Sequence, residues 1–341
     1  MKNLFKIKRL FLVSLLFISF FSEGQGILQN LEKLRQEQII TFAYDTDASA
    51  FMTATGIPDD ATVYYSGTAY ERTGHQLWVA TDNLVIGFKA NGTWTKHNAI
   101  YPAIGGTAST HKWNLKDPRD LNAAYRLVFS GTVNHSATGI QGNGSTGYSD
   151  TFFNPSVYGL GQNASLSVYS RSAFGTDKAA ISAITSTTQR FGLRLSNNPN
   201  NSFFYAHGTS GGQSSYAFDN TIGYFVGSRV SSTDQRFYKN GVQGGSTQTS
   251  SNGTAPNLNL YLMANNNAGT PANHTSAEIA FVTIGLGLTP TEVANDYTVI
   301  QAYQTALGRQ LNLWWIIILI PTLLKGRVIK LNKDNNFKLA A

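Results

Sequence analysis

Gly142, Gly144 and Gly147 have the spacing of a dinucleotide-binding glycine fingerprint. That chemistry needs a helix directly after the glycines, whose N-terminus receives the pyrophosphate. Tyr148 to Phe153 follow instead and read as a strand, which argues against it. Gly208-Thr209-Ser210-Gly211-Gly212 has the GxSxG pattern of a nucleophile elbow and follows the strand-like run Phe203 to His207. An elbow requires a helix after the serine, and Gly211-Gly212-Gln213-Ser214-Ser215 has the composition of a loop. Six histidines, His75, His97, His111, His135, His207 and His274, show no metal-ligand spacing, so no zinc site is expected.

Retaining glycoside hydrolysis needs two carboxyls roughly 5 Å apart, which one strand face supplies from acids two residues apart. Between Tyr125 and Arg309 the acids are Asp150, Asp177, Asp219, Asp234, Glu278, Glu292 and Asp296, and no two have that spacing. Glu292 and Asp296 fall on an expected helix, where solvated side chains are the simplest reading. Catalytic residues and cofactors are therefore not expected, and calcium is the one ion the turn residues Asp219, Asn220 and Asp234 suit. Sugar binding asks for aromatic rings beside amides and carboxylates. One loop offers His207, Tyr216, Phe218, Asp219 and Asn220, and another offers Asn265, Asn266, Asn267 and His274. These nine residues are the candidate ligand-binding set.

The elements that must position them read as a turn-rich β body. Charged residues are only 13% of the chain, whereas it holds 32 Gly, 16 Tyr and 20 Phe. Short β-rich runs lie at Tyr125 to Phe129, Ser165 to Ser170, Phe191 to Leu195, Phe203 to His207, Gly223 to Val230, Arg236 to Lys239, Leu258 to Met263 and Ile279 to Ile284. Such spacing predicts a sandwich or jelly roll. Asn240-Gly241, between Lys239 and Val242, signals a type I′ hairpin. Ala48 to Gly56 and Gln76 to Ala90 read as helices, the second stopped by Asn91-Gly92. Thr289, Pro290 and Glu292 form the cap, first turn and capping-box partner of a helix running towards Leu307.

Residues 93 to 122 carry Trp94, Ile100-Tyr101-Pro102, Gly105-Gly106-Thr107-Ala108, Thr110-His111-Lys112 and Asn114-Leu115-Lys116-Asp117-Pro118-Arg119-Asp120. With these motifs the chain, from Asp45 to Arg309, resembles structural proteins of phages and prophages of Bacteroidota that carry a jelly-roll domain. Asp117-Pro118 starts a turn, and its flanking charges suit a clamp. The capped terminal helix, the Tyr238 to Val242 hairpin and the Gly142 to Tyr148 entry are similar to the laminin-G-like, concanavalin A-like lectin/glucanase superfamily. The resemblance implies a jelly-roll β-sandwich more strongly than any activity.

Charge excludes a nucleic-acid partner. The net charge is +7, but residues 1 to 26 contribute +3 and residues 311 to 341 contribute +4, leaving 17 basic and 17 acidic residues between them. The N-terminus has the order of a secretory signal: basic residues through Arg9, an apolar run from Leu10 to Phe21, and small residues at Ser22, Gly24 and Gly26. The absence of cysteine removes disulfides and thiol chemistry. Near the C-terminus Leu313 to Ile320, with Trp314, Trp315 and following basic residues, has the make-up of a membrane-interface contact.

The expected organisation is a signal peptide at 1–26, a helical lead-in and linker at 27–122, a concanavalin A-like jelly roll at 123–310 and an apolar-then-basic tail at 311–341. The fold class is mainly β, an antiparallel sandwich with a small helical N-terminal part and a C-terminal helix. The expected function is non-enzymatic attachment, contacting surface glycans or other virion or cell-surface proteins. Three settings stay open: a virion, a secreted or surface-displayed bacterial adhesin, and a secreted glycan hydrolase.

Overall fold

The computed structural model describes residues 43–196, 201–207, 212–249 and 253–311, and the backbone of two further short strands, Ile329–Leu331 and Phe337–Leu339. The expected signal, the 27–42 lead-in, the GxSxG serine and most of the C-terminal tail lie outside the described residues. The described residues from Asp45 to Leu311 belong to one compact unit.

Its helices are α1 (Thr46–Thr55), α2 (Gly74–Ala90), α3 (Ala108–His111), α4 (Pro155–Tyr158) and α5 (Pro290–Ala306). The strands begin with β1 (Val63–Tyr64), β2 (Arg72–Thr73), β3 (His97–Tyr101), β4 (Val128–Ser130), β5 (Val133–Ser136), β6 (Gly139–Gly142) and β7 (Tyr148–Asp150). They continue with β8 (Ala164–Ser170), β9 (Lys178–Ser186), β10 (Gln189–Leu195), β11 (Ser202–Ala206), β12 (Ser214–Tyr216) and β13 (Gly223–Ser231). The last of the sandwich are β14 (Asp234–Lys239), β15 (Val242–Gln248), β16 (Tyr261–Leu262), β17 (Asn265–Asn267), β18 (Thr270–Ala272) and β19 (Glu278–Gly285).

Two sheets stack into the expected sandwich. The first runs β15-β14-β13-β8-β19-β6-β5, with β3 also paired to β19. The second runs β12-β11-β10-β9-β16-β7-β4, with the β17–β18 hairpin attached to β9 through a parallel β17–β9 pairing. Between the sheets lies a core of Leu166, Val168, Phe225, Phe237 and Ile284 from the first sheet against Ile181, Phe191, Leu193, Phe204 and Leu262 from the second. Alternation along each strand sends the intervening side chains to the outer faces. Packing is tight enough that Gly227 of β13 sits directly under the Phe204 ring: a Cβ there would come within 2.0 Å of a ring carbon.

The outer face of the first sheet is also buried. Tyr169, Tyr224, Val226, Tyr238 and Phe281 form a second apolar cluster with Phe51 and Met52 of α1, Leu77, Leu84, Val85 and Phe88 of α2, and Val293, Ile300 and Tyr303 of α5. The residues expected as a lead-in and linker thus supply two covering helices and, through β3, a strand of this sheet.

Local signals explain these elements. Thr73 caps α2 in a reciprocal box with Gln76, and Thr289 caps α5 with Glu292, with Pro290 in the first turn as its sequence predicts. Asn240 and Gly241 have φ of 50° and 78°, the paired positive values of a type I′ hairpin, and join β14 to β15.

Some expectations need correction. Asp296 is not solvated: it is fully buried, accepts from Thr93 Oγ1 at 2.6 Å and lies 2.9 Å from His97 Nε2. It faces inward because α5 lies on the first sheet, and its bonds tie α5 to the end of α2 and to β3. The run expected from Tyr125 starts only at Val128, since Tyr125 adopts φ 59° after a short 3-10 turn. Leu258 to Met263 contributes only Tyr261–Leu262 to the ladder.

Candidate ligand-binding face

The outer face of the second sheet is of a different kind. Leu193 and Phe191 point into the core, so Arg190, Gly192 and Arg194 of β10 point outward. By the same alternation β11 presents Phe203 and Tyr205, β9 presents Ser182, and β7 presents Tyr148 and Asp150. The register brings these together. Tyr261 is paired with both Ser182 and Asp150, Gly192 with Ser182 and Tyr205, and Asn265 with Ser182. No residue of this sheet belongs to the cluster that the helices form on the first sheet.

At one end is an aromatic platform. Tyr148 and Tyr261 have ring centroids 4.7 Å apart, and His274 meets Tyr148 edge-on at 6.1 Å while its Nδ1 lies 3.1 Å from the Gly147 carbonyl. Beside it Asp150 accepts from the Phe152 N–H at 2.7 Å and from Asn259 Nδ2 at 3.2 Å. Burial holds its carboxyl above the ordinary carboxylate range, against the lowering effect of those two donors. Asn266 donates through Nδ2 to the Asn259 carbonyl, fixing the segment that carries Asn259.

In the middle the floor is low because Gly192 has no side chain. A Cβ there would lie 2.3 Å from Ser182 Oγ, so only glycine lets Ser182 stand beside it. Ser182 Oγ, Asn265 Oδ1 and Arg194 Nε are buried and have no hydrogen-bond partner. Unpaired buried polar atoms carry a desolvation cost, and the Tyr224 and Tyr238 hydroxyls under the helices of the first sheet carry it as well. At the far end Phe203 and Tyr205 stack at 5.9 Å, and the Arg190 guanidinium lies over Tyr205 at 5.4 Å. Arg194 pairs with Asp177.

The nine residues expected from sequence divide. Asn265, Asn266 and His274 belong to this face or its support, and Asn267 is exposed at the tip of the β17–β18 hairpin. Of the other group, only Tyr216 lies on a strand of this sheet, β12, four strand spacings or roughly 19 Å from β16. His207 is 1% exposed, packs 5.0 Å from Phe191 and presents nothing to solvent. Phe218 fills the core against Phe225 and Phe237 at 5.3 and 5.0 Å. Asn220 serves its own turn, accepting from Ile222 N and Lys239 Nζ, each at 3.0 Å. Asp219 forms an ion pair with Lys239, and Asp234 one with Arg236, so both carboxylates considered for calcium already hold a cationic side chain. Tyr216 is exposed, edge-on to Phe218 at 4.9 Å. Among the described residues no group of three or more acids and histidines is placed to hold a metal ion.

Sequence reasoning missed Tyr148, Asp150, Ser182, Arg190 and Tyr261 as site residues. An aromatic and an acid two apart on a predicted strand, Tyr148 and Asp150, were the available signal. The motifs between residues 93 and 122 serve the fold, as their turn chemistry predicts. Asn114 Oδ1 accepts from Ile100 N at 2.9 Å and its Nδ2 donates to the Ala124 carbonyl at 3.0 Å. Lys116 sits 3.6 Å over the Trp94 ring, with burial lowering its ammonium to about 8. Asp117 pairs with Arg119, and Asp120 with Lys112 and Arg126. Gly142, Gly144 and Gly147 lead into β7 and no helix follows them.

Fold and face together define a jelly-roll β-sandwich with one sheet covered by helices and the other presenting an aromatic and polar surface. No family model matches the chain, and no curated protein matches it in sequence. Among solved structures it is similar to domain 4 of AbnA, a GH43 extracellular arabinanase from Geobacillus stearothermophilus, in complex with arabinotriose. That match has 14% identity and a TM-score of 0.44, covering 59% of this chain and 98% of the other. The CBM40 of a Ruminococcus gnavus IT-sialidase bound to alpha2,3 sialyllactose matches at 14% identity and TM-score 0.37, covering 46% of this chain and 94% of the other. A botulinum neurotoxin type C structure, described as dependent on two ganglioside molecules for cell entry, matches at 11% identity and TM-score 0.40. There the match covers 52% of this chain and 47% of the other. No helix among the described residues is long and apolar enough to cross a membrane.

Proposed function

We propose that this chain is a non-catalytic attachment protein that binds a glycan on the outer face of its second sheet. The observation that carries this reading is the Tyr148–Tyr261 platform set against Asp150 and Asn259, with Ser182 Oγ and Asn265 Oδ1 unpartnered in the adjoining floor. Rings supply flat apolar contact for sugar C–H faces, while a carboxylate and amides receive and donate the hydroxyl hydrogen bonds. Binding rather than hydrolysis fits because, among the described residues, the hydrogen bonds and ion pairs place Asp150 and no second carboxylate beside the platform. Asp177 is held by Arg194 on the other side of the floor. The setting we favour is the virion surface, from the motifs between residues 93 and 122. A surface-displayed adhesin is the second reading, favoured by the signal-like first 26 residues.

A glycan array with the full chain, followed by calorimetry on the best hit, tests the reading. Tyr261→Ala should weaken binding about tenfold, in line with the loss of an aromatic contact of roughly 1.5 kcal/mol. An unchanged affinity in both Tyr261→Ala and Tyr148→Ala overturns the assignment of the face. Release of reducing ends that vanishes in Asp150→Asn overturns the non-catalytic part. Mass spectrometry of purified particles decides the setting, since absence from virions removes the first and leaves the adhesin.

A further inference from the structure

The two ends of the face differ in what they ask of a ligand. Tyr261 and Tyr205 are three strand spacings apart, about 14 Å, so aromatic contacts at both ends call for a ligand longer than one sugar. At the Asp150 end the groups on offer are acceptors. Asn265 Oδ1 has no partner, and each Asp150 oxygen, holding one donor, keeps a lone pair for a hydroxyl hydrogen. At the other end the free groups are donors. Arg194 Nε has no acceptor, and Arg190 donates only a long 3.4 Å bond, from Nε to the Ser186 carbonyl.

Arg190 differs from the other guanidinium on this face. Arg194 is neutralised by Asp177, whereas no carboxylate among the described residues is within ion-pair distance of Arg190. Its guanidinium carbon lies 5.4 Å from the ring centroid of Tyr205, itself buried. With Nε on the Ser186 carbonyl, the two terminal nitrogens of Arg190 have no acceptor among the described residues, and a guanidinium fork matches a carboxylate.

We infer that the ligand is an oligosaccharide that crosses the strands and carries a carboxylated sugar at the Arg190 end. This rests on the glycan reading of the same face. The neutral part lies over Tyr148 and Tyr261, its hydroxyls meeting Asp150 and Asn265, and the sugar carboxylate pairs with Arg190. The carboxylate comes either from a uronic acid within a chain or from a terminal sialic acid, and matched probes separate these sources.

Affinities of the full chain for tetragalacturonate and its methyl ester, and for 3′-sialyllactose and lactose, provide the test. In at least one pair the acidic member should bind about tenfold more tightly, with the preference shrinking as salt rises. The pair that shows it identifies the source. Arg190→Gln should bring the acidic member down to the affinity of its neutral counterpart, abolishing the preference, while Tyr261→Ala should weaken both members and keep their ratio. Equal binding of acidic and neutral members in both pairs overturns the inference, as does a preference that survives in Arg190→Gln. If Tyr261→Ala still lowers affinity in those cases, the glycan reading stands alone. If no probe binds and the array is empty, both fall.

Discussion

His207 should make the protein acid-labile, and by an amount that can be worked from its surroundings. The ring is buried at the end of β11 against Phe191, and neither nitrogen makes a hydrogen bond of ordinary geometry. Burial lowers its titration from 6.5 to about 4; the Arg229 charge adds to this, and the nearby Gly161 and Leu160 backbone opposes it. Above pH 6.5 the ring is neutral in both folded and unfolded chains and contributes no pH dependence. As pH falls through 6.5 the unfolded chain takes up a proton that the folded chain refuses until about pH 4, so stability drops across that window and levels off below it. For those two values the loss between pH 7 and pH 5 is about 2 kcal/mol. Asn suits the position, because His207 has φ 59° and Asn tolerates the left-handed region. Urea unfolding of the wild type and His207→Asn at both pH values separates this term from the carboxylates, which contribute equally to each. The variant should start less stable at pH 7, having lost the Phe191 contact, and its drop on going to pH 5 should be smaller by about 2 kcal/mol. An equal drop in the two proteins would falsify the buried, neutral state assigned to this ring.

Further outcomes follow from packing and buried polarity. Gly227→Ala should cost about 1–3 kcal/mol by driving a methyl into the Phe204 ring, and Phe204→Leu in the same chain should recover part of that loss; additive costs in the double variant would contradict the direct contact. Asp296→Ala should cost about 3 kcal/mol in chemical unfolding, because Thr93 and His97 lose their shared buried acceptor, and a loss below about 1 kcal/mol would mean the contact is dispensable. Gly192→Ala should weaken glycan binding more than it lowers Tm, since the new methyl lands on Ser182 Oγ in the floor of the face; a large fall in Tm with affinity unchanged would separate this glycine from the site.

Much of the fold was legible because its signals are local. The α5 capping box, the Asn240-Gly241 hairpin and the stop of α2 at Asn91 each involve a few adjacent residues, and each forms as read. Strands without such signals escaped notice. Lys178–Ser186 is nine residues long and central to its sheet, yet its Ala and Ser content gives little β-propensity; neighbours in the ladder decide it. Asn265–Asn267 looks like a turn and becomes a strand by pairing along β9. The face was only half legible, because its parts meet across long separations: Asn259 bonds Asp150 from 109 residues away. Loop composition led to Asn265 and His274 but equally to His207 and Phe218, since sequence does not say which aromatic plugs a core.

Which sheet can carry a ligand follows from what the chain places outside each one. In β8 all seven residues are buried, and β13 and β19 are buried along most of their length, because α1, α2 and α5 cover the outer rows of the first sheet. Strands buried on both faces favour apolar or small residues at every position. Here Tyr169, Tyr224, Tyr238 and Phe281 occupy the covered row. In the second sheet the outward row holds Asp150, Ser182, Gly192, Arg190 and Arg194, polar or small residues that gain nothing from burial under a helix. Covering that row would cost the desolvation of two guanidiniums and a carboxylate. The asymmetry between the sheets is therefore a property of composition at alternate strand positions. For a polar ligand of the kind proposed, the second sheet is the one whose outward side chains match it in chemistry.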